Sequence, residues 1–224
     1  MADYMPRHSS LLVPENYTPT KHEDQIIRSS AIGDGCILYP YKGAKNPRLS
    51  WNMGNKSHAE FICESFSFLG ATIKEEANKG FGDITFRVTT KVSPVLAKYH
   101  NELYQDGKKI ITSEYLSKLE TEGWAWWFMD DGHTDHKGKV MFLHTEGSPF
   151  DEVERIKLAL SKFIGVDASI HSYIGGAKKR KMHCIRLNKK ATHELTKKIA
   201  PYFCSGMEYK IISDYARVGR VRNK

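Results

Sequence analysis

The sequence predicts an α+β fold of two αββαββα halves, related by a pseudo-twofold axis and each carrying an antiparallel sheet. Three observations predict it. One is a repeated order of elements, in which stretches of hydrophobic period 3.6 and period 2 recur in the same succession. A second is a set of matched spacings. From Asp34 to Gly70 is 36 residues and from Asp131 to Gly165 is 34; from Asp34 to Arg87 is 53 and from Asp131 to Arg186 is 55. Lys91 and Lys190 each follow their arginine by four residues, and Lys109-Ile110 and Lys210-Ile211 close the halves at offsets of 75 and 79. The third is that each half opens on a mostly apolar helix ending in Asp-Gly.

The elements follow in order. Residues 1–22 are polar and hold Pro6, Pro14 and Pro19, the pattern of an extended N-terminal extension. The first half, 23–115, starts with a helix from Glu23 or Asp24 through Ile32, with Gly35 as its stop. Strands are expected at 36–42 and 47–53, joined by Gly43-Ala44-Lys45-Asn46. A helix at 57–69 stops at Gly70, strands follow at 71–76 and 83–90, and a helix at 93–105 ends the set. The second half, 116–212, repeats the scheme with a helix at 116–131, a strand at 138–145 and a helix at 150–163 stopped by Gly165. Strands at 167–174 and 182–188 and a helix at 190–203 complete it, and residues 213–224 form a basic tail.

Composition excludes several classes. The chain has 224 residues, 40% of them hydrophobic, enough for a folded core. Its longest apolar run, Trp124 to Met129, is far short of the roughly 20 residues that span a bilayer. The start lacks a basic segment followed by an apolar one, so no secretory signal is read. Cys36, Cys63, Cys184 and Cys204 are too scattered for a zinc knuckle or a disulfide framework and are expected as reduced thiols of an intracellular protein. The net charge of +8 points to a polyanionic partner, and it is unevenly placed. Residues 175–224 hold 14 Lys and Arg against three acids, and the remainder is slightly acidic. Lys178-Lys179-Arg180-Lys181 and the tail carry the excess, read either as a solvated loop and terminus or as phosphate contacts.

The chemistry lies in the two helix ends, Ile32-Gly33-Asp34-Gly35 and Trp124-Ala125-Trp126-Trp127-Phe128-Met129-Asp130-Asp131-Gly132. A carboxylate there faces the negative end of the helix dipole, which costs about 0.3–1 kcal/mol. One Asp-Gly is ordinary turn chemistry. Two, at equivalent points of a repeat, place Asp34 and Asp131 together if the helices pack on the axis. Ser29, Ser30, Ala31 and Gly33 permit that close approach. Two like charges beside two negative helix ends call for a cation, and hard oxygen donors with open positions suit Mg²⁺. Carboxylates holding metal in this way serve in-line phosphodiester hydrolysis.

These residues resemble the LAGLIDADG homing endonucleases, in the branch whose second motif reads WFMDDG. IRSSAIGDG and WAWWFMDDG correspond to the two motifs, and LHTEGSPFDEVERIKLAL and SGMEYKI extend the similarity over roughly residues 23–212. The resemblance implies that the motif helices form the interface and that the sheets form a saddle over DNA. It places the metal-binding acids at Asp34 and Asp131, with Gly33 and Asp130 beside them at the metals. It further implies Mg²⁺ or Mn²⁺ as cofactor (roughly two or three ions near the axis), one phosphodiester hydrolysed per strand, and 3′ overhangs. Both motifs in one chain imply a monomer on a long asymmetric duplex, serving intron homing or standing free; 22 leading residues cannot hold a protein-splicing module. The rival reading is a maturase that uses the same basic saddle to bind intron RNA.

The sequence departs from the family pattern at several points. Ser29 stands where Gly is frequent, and Arg28 must lie off the tight interface. Where a Gln or Lys is usual after the second strand, Asn55 and Lys56 stand in the first half and Thr145-Glu146 in the second. Lys91 and Lys190 are the candidates for stabilising charge at the scissile phosphates, with surface or phosphate-clamping roles as the alternative. Gly132-His133-Thr134-Asp135-His136 reads either as a solvent-facing loop or as a transition-metal site. DNA contacts are assigned to alternate strand residues and nearby loops. In the first half these are Lys42, Lys45, Arg48, Ser50, Asn52, Lys74, Thr85 and Arg87. In the second they are Lys137, Lys139, His171, Tyr173, His183 and Arg186, with the 178–181 cluster.

Overall fold

The computed structural model describes residues 17–77, 84–135, 139–175 and 179–211. In chain order come α1 (Lys21–Ile32), β1 (Cys36–Leu38), β2 (Arg48–Met53), α2 (Lys56–Ser65), β3 (Thr72–Ala77), β4 (Ile84–Thr89) and α3 (Val95–Leu103). A short hairpin, β5 (Tyr104–Gln105) and β6 (Lys108–Lys109), leads to α4 (Ser113–Ser117). Then follow α5 (Thr121–Asp131), β7 (Gly132–Thr134), β8 (Met141–Leu143), α6 (Phe150–Ile164), β9 (Ser169–Gly175), β10 (Arg180–Leu187) and α7 (Lys189–Ile199). The strands form two antiparallel four-stranded sheets of the same topology, β1-β2-β4-β3 and β7-β8-β10-β9. The repeat read from the spacings is thus a repeat of folded units.

Helix α1 begins earlier than expected because Thr20 and Glu23 cap each other. The Thr20 hydroxyl accepts from the Glu23 N–H, and the Glu23 carboxylate accepts from the Thr20 N–H at 2.7 Å. From Gln25 to Ile32 every residue is buried, as is every residue of α5 from Gly123 to Asp130. These two helices lie in the interior and pack against each other, α5 almost wholly apolar there and α1 burying Gln25, Arg28, Ser29 and Ser30 with its apolar residues. Glycines allow it at both ends. A Cβ on Gly123 would stand 2.5 Å from the Gln25 side-chain oxygen, and one on Gly33 would stand 2.5 Å from Asp130 Oδ2. The Trp side chains of α5 divide the core. Trp126 stacks on Phe61 of α2, while Trp124 stacks on Trp127 and on Phe163 of α6.

Several boundaries differ from expectation for identifiable reasons. The helix expected at 116–131 is two helices, because Gln25 fills the break: its amide donates to Lys118 O and its oxygen accepts from the Glu120 N–H. β1 stops at Leu38, two residues before Pro40, which has no N–H to extend the ladder. The strand expected at 138–145 is a hairpin partner of β7, which leaves α5 directly through Gly132. Gly165 ends α6 at φ of 72°, whereas the helix expected to run to Gly70 stops at Ser65, and Gly70, at φ of 64°, closes a single 3₁₀ turn at Ser67–Leu69.

Arg28 lies off the helix pair, as its bulk requires, yet it is only 3% exposed. Its guanidinium meets Asp24 at 2.9 Å and Glu102 at 2.6 Å, between the rings of Tyr99 and Tyr115. Removing one member of a buried charge cluster strands the others, at a cost of about 3 kcal/mol. Arg28→Ala is therefore expected to lower the melting temperature by roughly 6–12 °C, measured by calorimetry; a shift under 2 °C would show the cluster to be energetically idle.

Candidate active site and DNA-facing surfaces

Both acids sit where the motif helices stop, in different postures. Asp34 lies beyond Gly33, past the last turn of α1, and is exposed; Asp131 is the last residue of α5 and half-buried. Trp127 Nε1 donates to Asp131 Oδ2 at 2.9 Å and fixes that carboxylate. Burial first, and the Asp34 charge second, push the Asp131 carboxyl up to about 6. The Asp34 charge thus acts on Asp131, as expected of acids at the ends of two packed helices.

Asp130 plays another part. Its side chain is buried, and Oδ2 accepts the Asp34 N–H at 3.3 Å across the interface. Oδ1 stands 3.7 Å from His58 Nε2, and neither atom has a hydrogen-bond partner among the described residues. Burial, reinforced by Asp34 and Asp131, raises the Asp130 carboxyl well above the usual range. Burial and then the Lys210 charge bring the His58 imidazole down to about 4.

The lysines brought to the acids are not those expected. Lys91 lies against Gly70, where a Cβ would approach its Cδ to 2.9 Å, and Lys190 is exposed on the first turn of α7. In their place stand Lys109 and Lys210. Lys109 Nζ donates to Gly33 O at 3.5 Å and to Gly35 O at 3.3 Å; Lys210 Nζ donates to Met129 O and, at 2.8 Å, to Asp130 O. Each ammonium thus satisfies carbonyls at the negative end of a motif helix. Burial lowers both lysines from the ordinary range, an effect countered by the acids around them. Their segments are pinned: Glu152 accepts the Ile111 N–H at 3.0 Å, and Thr134 donates its hydroxyl to Lys210 O.

The result is two clefts of crossed composition. One, about 360 Å³, combines Asp131 with Lys109, His144, Glu146 and Glu152. The other, about 220 Å³, combines Asp34 with Lys210, Asn52, Asn55, His58 and Asp130. Each takes its acid from one repeat and its lysine from the other. Among the described residues no three His, Cys, Asp or Glu side chains converge as a metal cluster. Two carboxylates nevertheless suit Mg²⁺, which commonly takes one or two protein carboxylates and completes its shell with water and phosphate oxygens.

Residues 25–195 match the LAGLIDADG DNA endonuclease family. The chain belongs to that family. Among structures, it is similar to the homing endonuclease I-WcaI bound to its DNA recognition sequence, with 26% identity, TM-score 0.76, and 92% of this chain and 94% of that one covered. Among curated proteins it matches RecA of Mycobacterium shimoidei at 26% identity over 95% of this chain. It spans about half (51%) of that RecA's length. It also matches a probable intron-encoded DNA endonuclease 3 of Mycosarcoma maydis at 27% identity, over 46% of this chain and 72% of the relative.

In this LAGLIDADG chain the strand register decides which side chains share an outer face. Asn52 pairs with Arg87, and Arg87 with Lys74, so these three stand together with Arg48, Ser50 and Thr85. Glu76 joins them, 3.1 Å from Arg87 and 3.5 Å from Lys74, and partly neutralises that face. Lys42 and Lys45 are exposed in the β1–β2 loop, and Lys139 is exposed just before β8. On the second sheet His171 pairs with Cys184 and Tyr173 with Met182, which puts His171, Tyr173, Arg180 and Arg186 on one face. His183 and Lys181 do not share it. His183 is an odd number of residues from Arg186, pairs with Ser172, and rests against Phe150 on the helix side. Lys179 occupies the β9–β10 turn, while Lys137 and Lys178 lie outside the described residues, as do most of the N-terminal extension and the basic tail.

Of the two histidines read as a possible transition-metal site, His136 lies outside the described residues and His133 belongs to an aromatic stack. Its ring stacks between Phe142 at 4.9 Å and His144 at 4.6 Å, in an aromatic row that continues across the sheet to His171 and Tyr173.

Proposed function

We propose that the protein is a site-specific double-strand DNA endonuclease that hydrolyses one phosphodiester in each strand and leaves 3′ overhangs. The observation that carries this reading is the pair of acid–lysine clefts at the ends of α1 and α5. Two cuts need two stations, and one helix pair supplies both. Residues 23–115 and 116–212 act as the two halves, and the outer sheet faces grip a long asymmetric duplex as a monomer. Arg and Lys on those faces meet phosphates and guanine edges, and Asn52 suits adenine. Similarity to the DNA-bound I-WcaI over nearly the whole of both chains supports the duplex as substrate.

The Asp34 and Asp131 carboxylates would hold divalent cations, Mg²⁺ or Mn²⁺, beside the Gly33 and Asp130 carbonyls that Lys109 and Lys210 cap. When bound, such ions stabilise charge on the attacking and leaving oxygens of an in-line displacement. The chain's own groups do the rest. Lys109 and Lys210 place positive charge at the scissile phosphates, and the buried helix pair holds both stations at fixed separation.

Cation binding should compete with protons at Asp131. Saturating Mg²⁺, at about 100 times its Kd, stabilises by about 2.7 kcal/mol, which raises the melting temperature by roughly 5–10 °C at pH 8. Because the Asp131 carboxyl is pushed up to about 6, that gain should fall to about half at pH 5 and nearly vanish by about pH 4. An unchanged gain at pH 5 would place the cation elsewhere. Activity is tested by incubating the protein and Mg²⁺ with a randomised duplex library and sequencing the cut ends. Absence of cleavage, together with tight binding of an intron RNA, would favour the maturase reading.

A further inference from the structure

The two clefts are equivalent in topology and unlike in chemistry. His133 pairs with Phe142 across β7 and β8, and Cys36 pairs with Ser50 across β1 and β2. Two positions further along the second strand of each pair stand His144 and Asn52, each lining the cleft of its own repeat's acid. The His144 N–H donates to Asp131 O at 2.9 Å, which fixes the residue beside the acid.

The imidazole is oriented as well as placed. His144 Nδ1 is 2.8 Å from Glu146 Oε1, and the Tyr173 hydroxyl donates to that same oxygen at 2.8 Å. Burial favours the neutral carboxyl of Glu146, but these two hydrogen bonds outweigh it and hold the group below the ordinary carboxylate range. An ionised carboxylate only accepts, so Nδ1 carries a hydrogen, and in the neutral ring Nε2 is then the nitrogen with the lone pair. The ring stacked on His133 cannot swing freely. In the opposite cleft the equivalent place is held by the amide of Asn52, which accepts a hydrogen bond but does not take a proton, and the imidazole of that cleft, His58, is buried with its Nε2 turned to Asp130 Oδ1 at 3.7 Å.

Resting on the endonuclease reading above, we propose that His144, oriented by Glu146 and Tyr173, accepts the proton of the attacking water in the Asp131 cleft alone. The two strands are then cut by unlike apparatus. In the step, the water oxygen forms a bond to phosphorus while its proton passes to His144 Nε2. The P–O3′ bond breaks, and the departing 3′-oxygen takes a proton from solvent, leaving a 5′-phosphate and a 3′-hydroxyl. Glu146 and Tyr173 are positioning residues: Glu146 holds the imidazole and Tyr173 holds Glu146.

The test is single-turnover cleavage of the selected target duplex in Mg²⁺, with each strand labelled separately. Positioned proton transfer contributes about 10²–10⁴-fold, so His144→Ala should slow one strand by about 10²-fold and leave the other within about threefold. A supercoiled target plasmid should accumulate as nicked circles. The slowed strand should be the one that Lys109→Met also slows. Glu146→Ala should slow that strand by about tenfold, and Glu146→Gln, which keeps an acceptor oxygen, should recover most of the loss. DNA affinity should stay within about threefold throughout. Equal slowing of both strands, or of neither, overturns the proposal, as does slowing of the strand governed by Lys210. Failure of the unmodified protein to cut either strand overturns the endonuclease reading instead.

Discussion

Asp34→Asn and Asp131→Asn are each expected to abolish the double-strand cut, by about three orders of magnitude or more, while duplex affinity stays within about threefold. Asn keeps the shape of Asp and one acceptor oxygen but gives up the charge that a cation needs. Neither residue is needed to grip DNA, because the outer sheet faces carry the basic residues. Asp131→Asn should also stabilise the cation-free protein. The folded Asp131 carboxyl sits at about 6 against an ordinary 3.8, so between those values the folded chain binds more protons than the unfolded one. Its contribution to stability therefore falls as pH rises from about 4 to about 6 and stays low above. Near pH 8 the released strain amounts to about 3 kcal/mol, less whatever the Trp127 hydrogen bond loses. A paired measurement of melting temperature and cleavage should find a more stable, inactive protein. A destabilised variant with collapsed DNA binding would mean that the acid is structural.

Lys109→Met and Lys210→Met should each lower cleavage by about 10²–10³-fold, and on opposite strands. Met preserves the length and the buried stem while removing the charge. Lys109 shares its cleft with Asp131, and Lys210 shares its cleft with Asp34. A strand-resolved assay should show each variant converting the enzyme toward a nickase of opposite polarity. Lys91→Met and Lys190→Met serve as comparison and should change the cutting rate by less than about threefold, since neither side chain reaches the acids. If Lys91 or Lys190 proves to matter more than Lys109 and Lys210, the crossed clefts are not the chemical stations.

The fold and the acids were legible because both are written locally. Asp-Gly after an apolar helix, recurring at matched offsets, marks Asp34 and Asp131 without knowledge of any contact. The glycine stop at Gly165 was equally local. The lysines were half legible. Lys109-Ile110 and Lys210-Ile211 already stood out as a repeated pair, but nothing in the linear order says that a residue some 75 positions after a helix returns to its end. Lys91 and Lys190 fitted the same arithmetic and were equally plausible by spacing. His183 was misplaced for a simpler reason: strand parity excludes it from the face of Arg186, and the residue numbers alone carry that. His58, Glu152 and the His144–Glu146–Tyr173 chain had no readable signal, because each depends on a partner from a different element.

The most direct test of two crossed stations on one helix pair is to map, at nucleotide resolution, both ends produced from a selected duplex in Mg²⁺. A single pair of cuts at a fixed stagger, with 5′-phosphates and 3′-hydroxyl overhangs, is the expected result, and Asp34→Asn and Asp131→Asn should each give no double-strand cut and at most a nick in one strand. Scattered ends, 5′ overhangs, or unchanged cutting by either variant would contradict it.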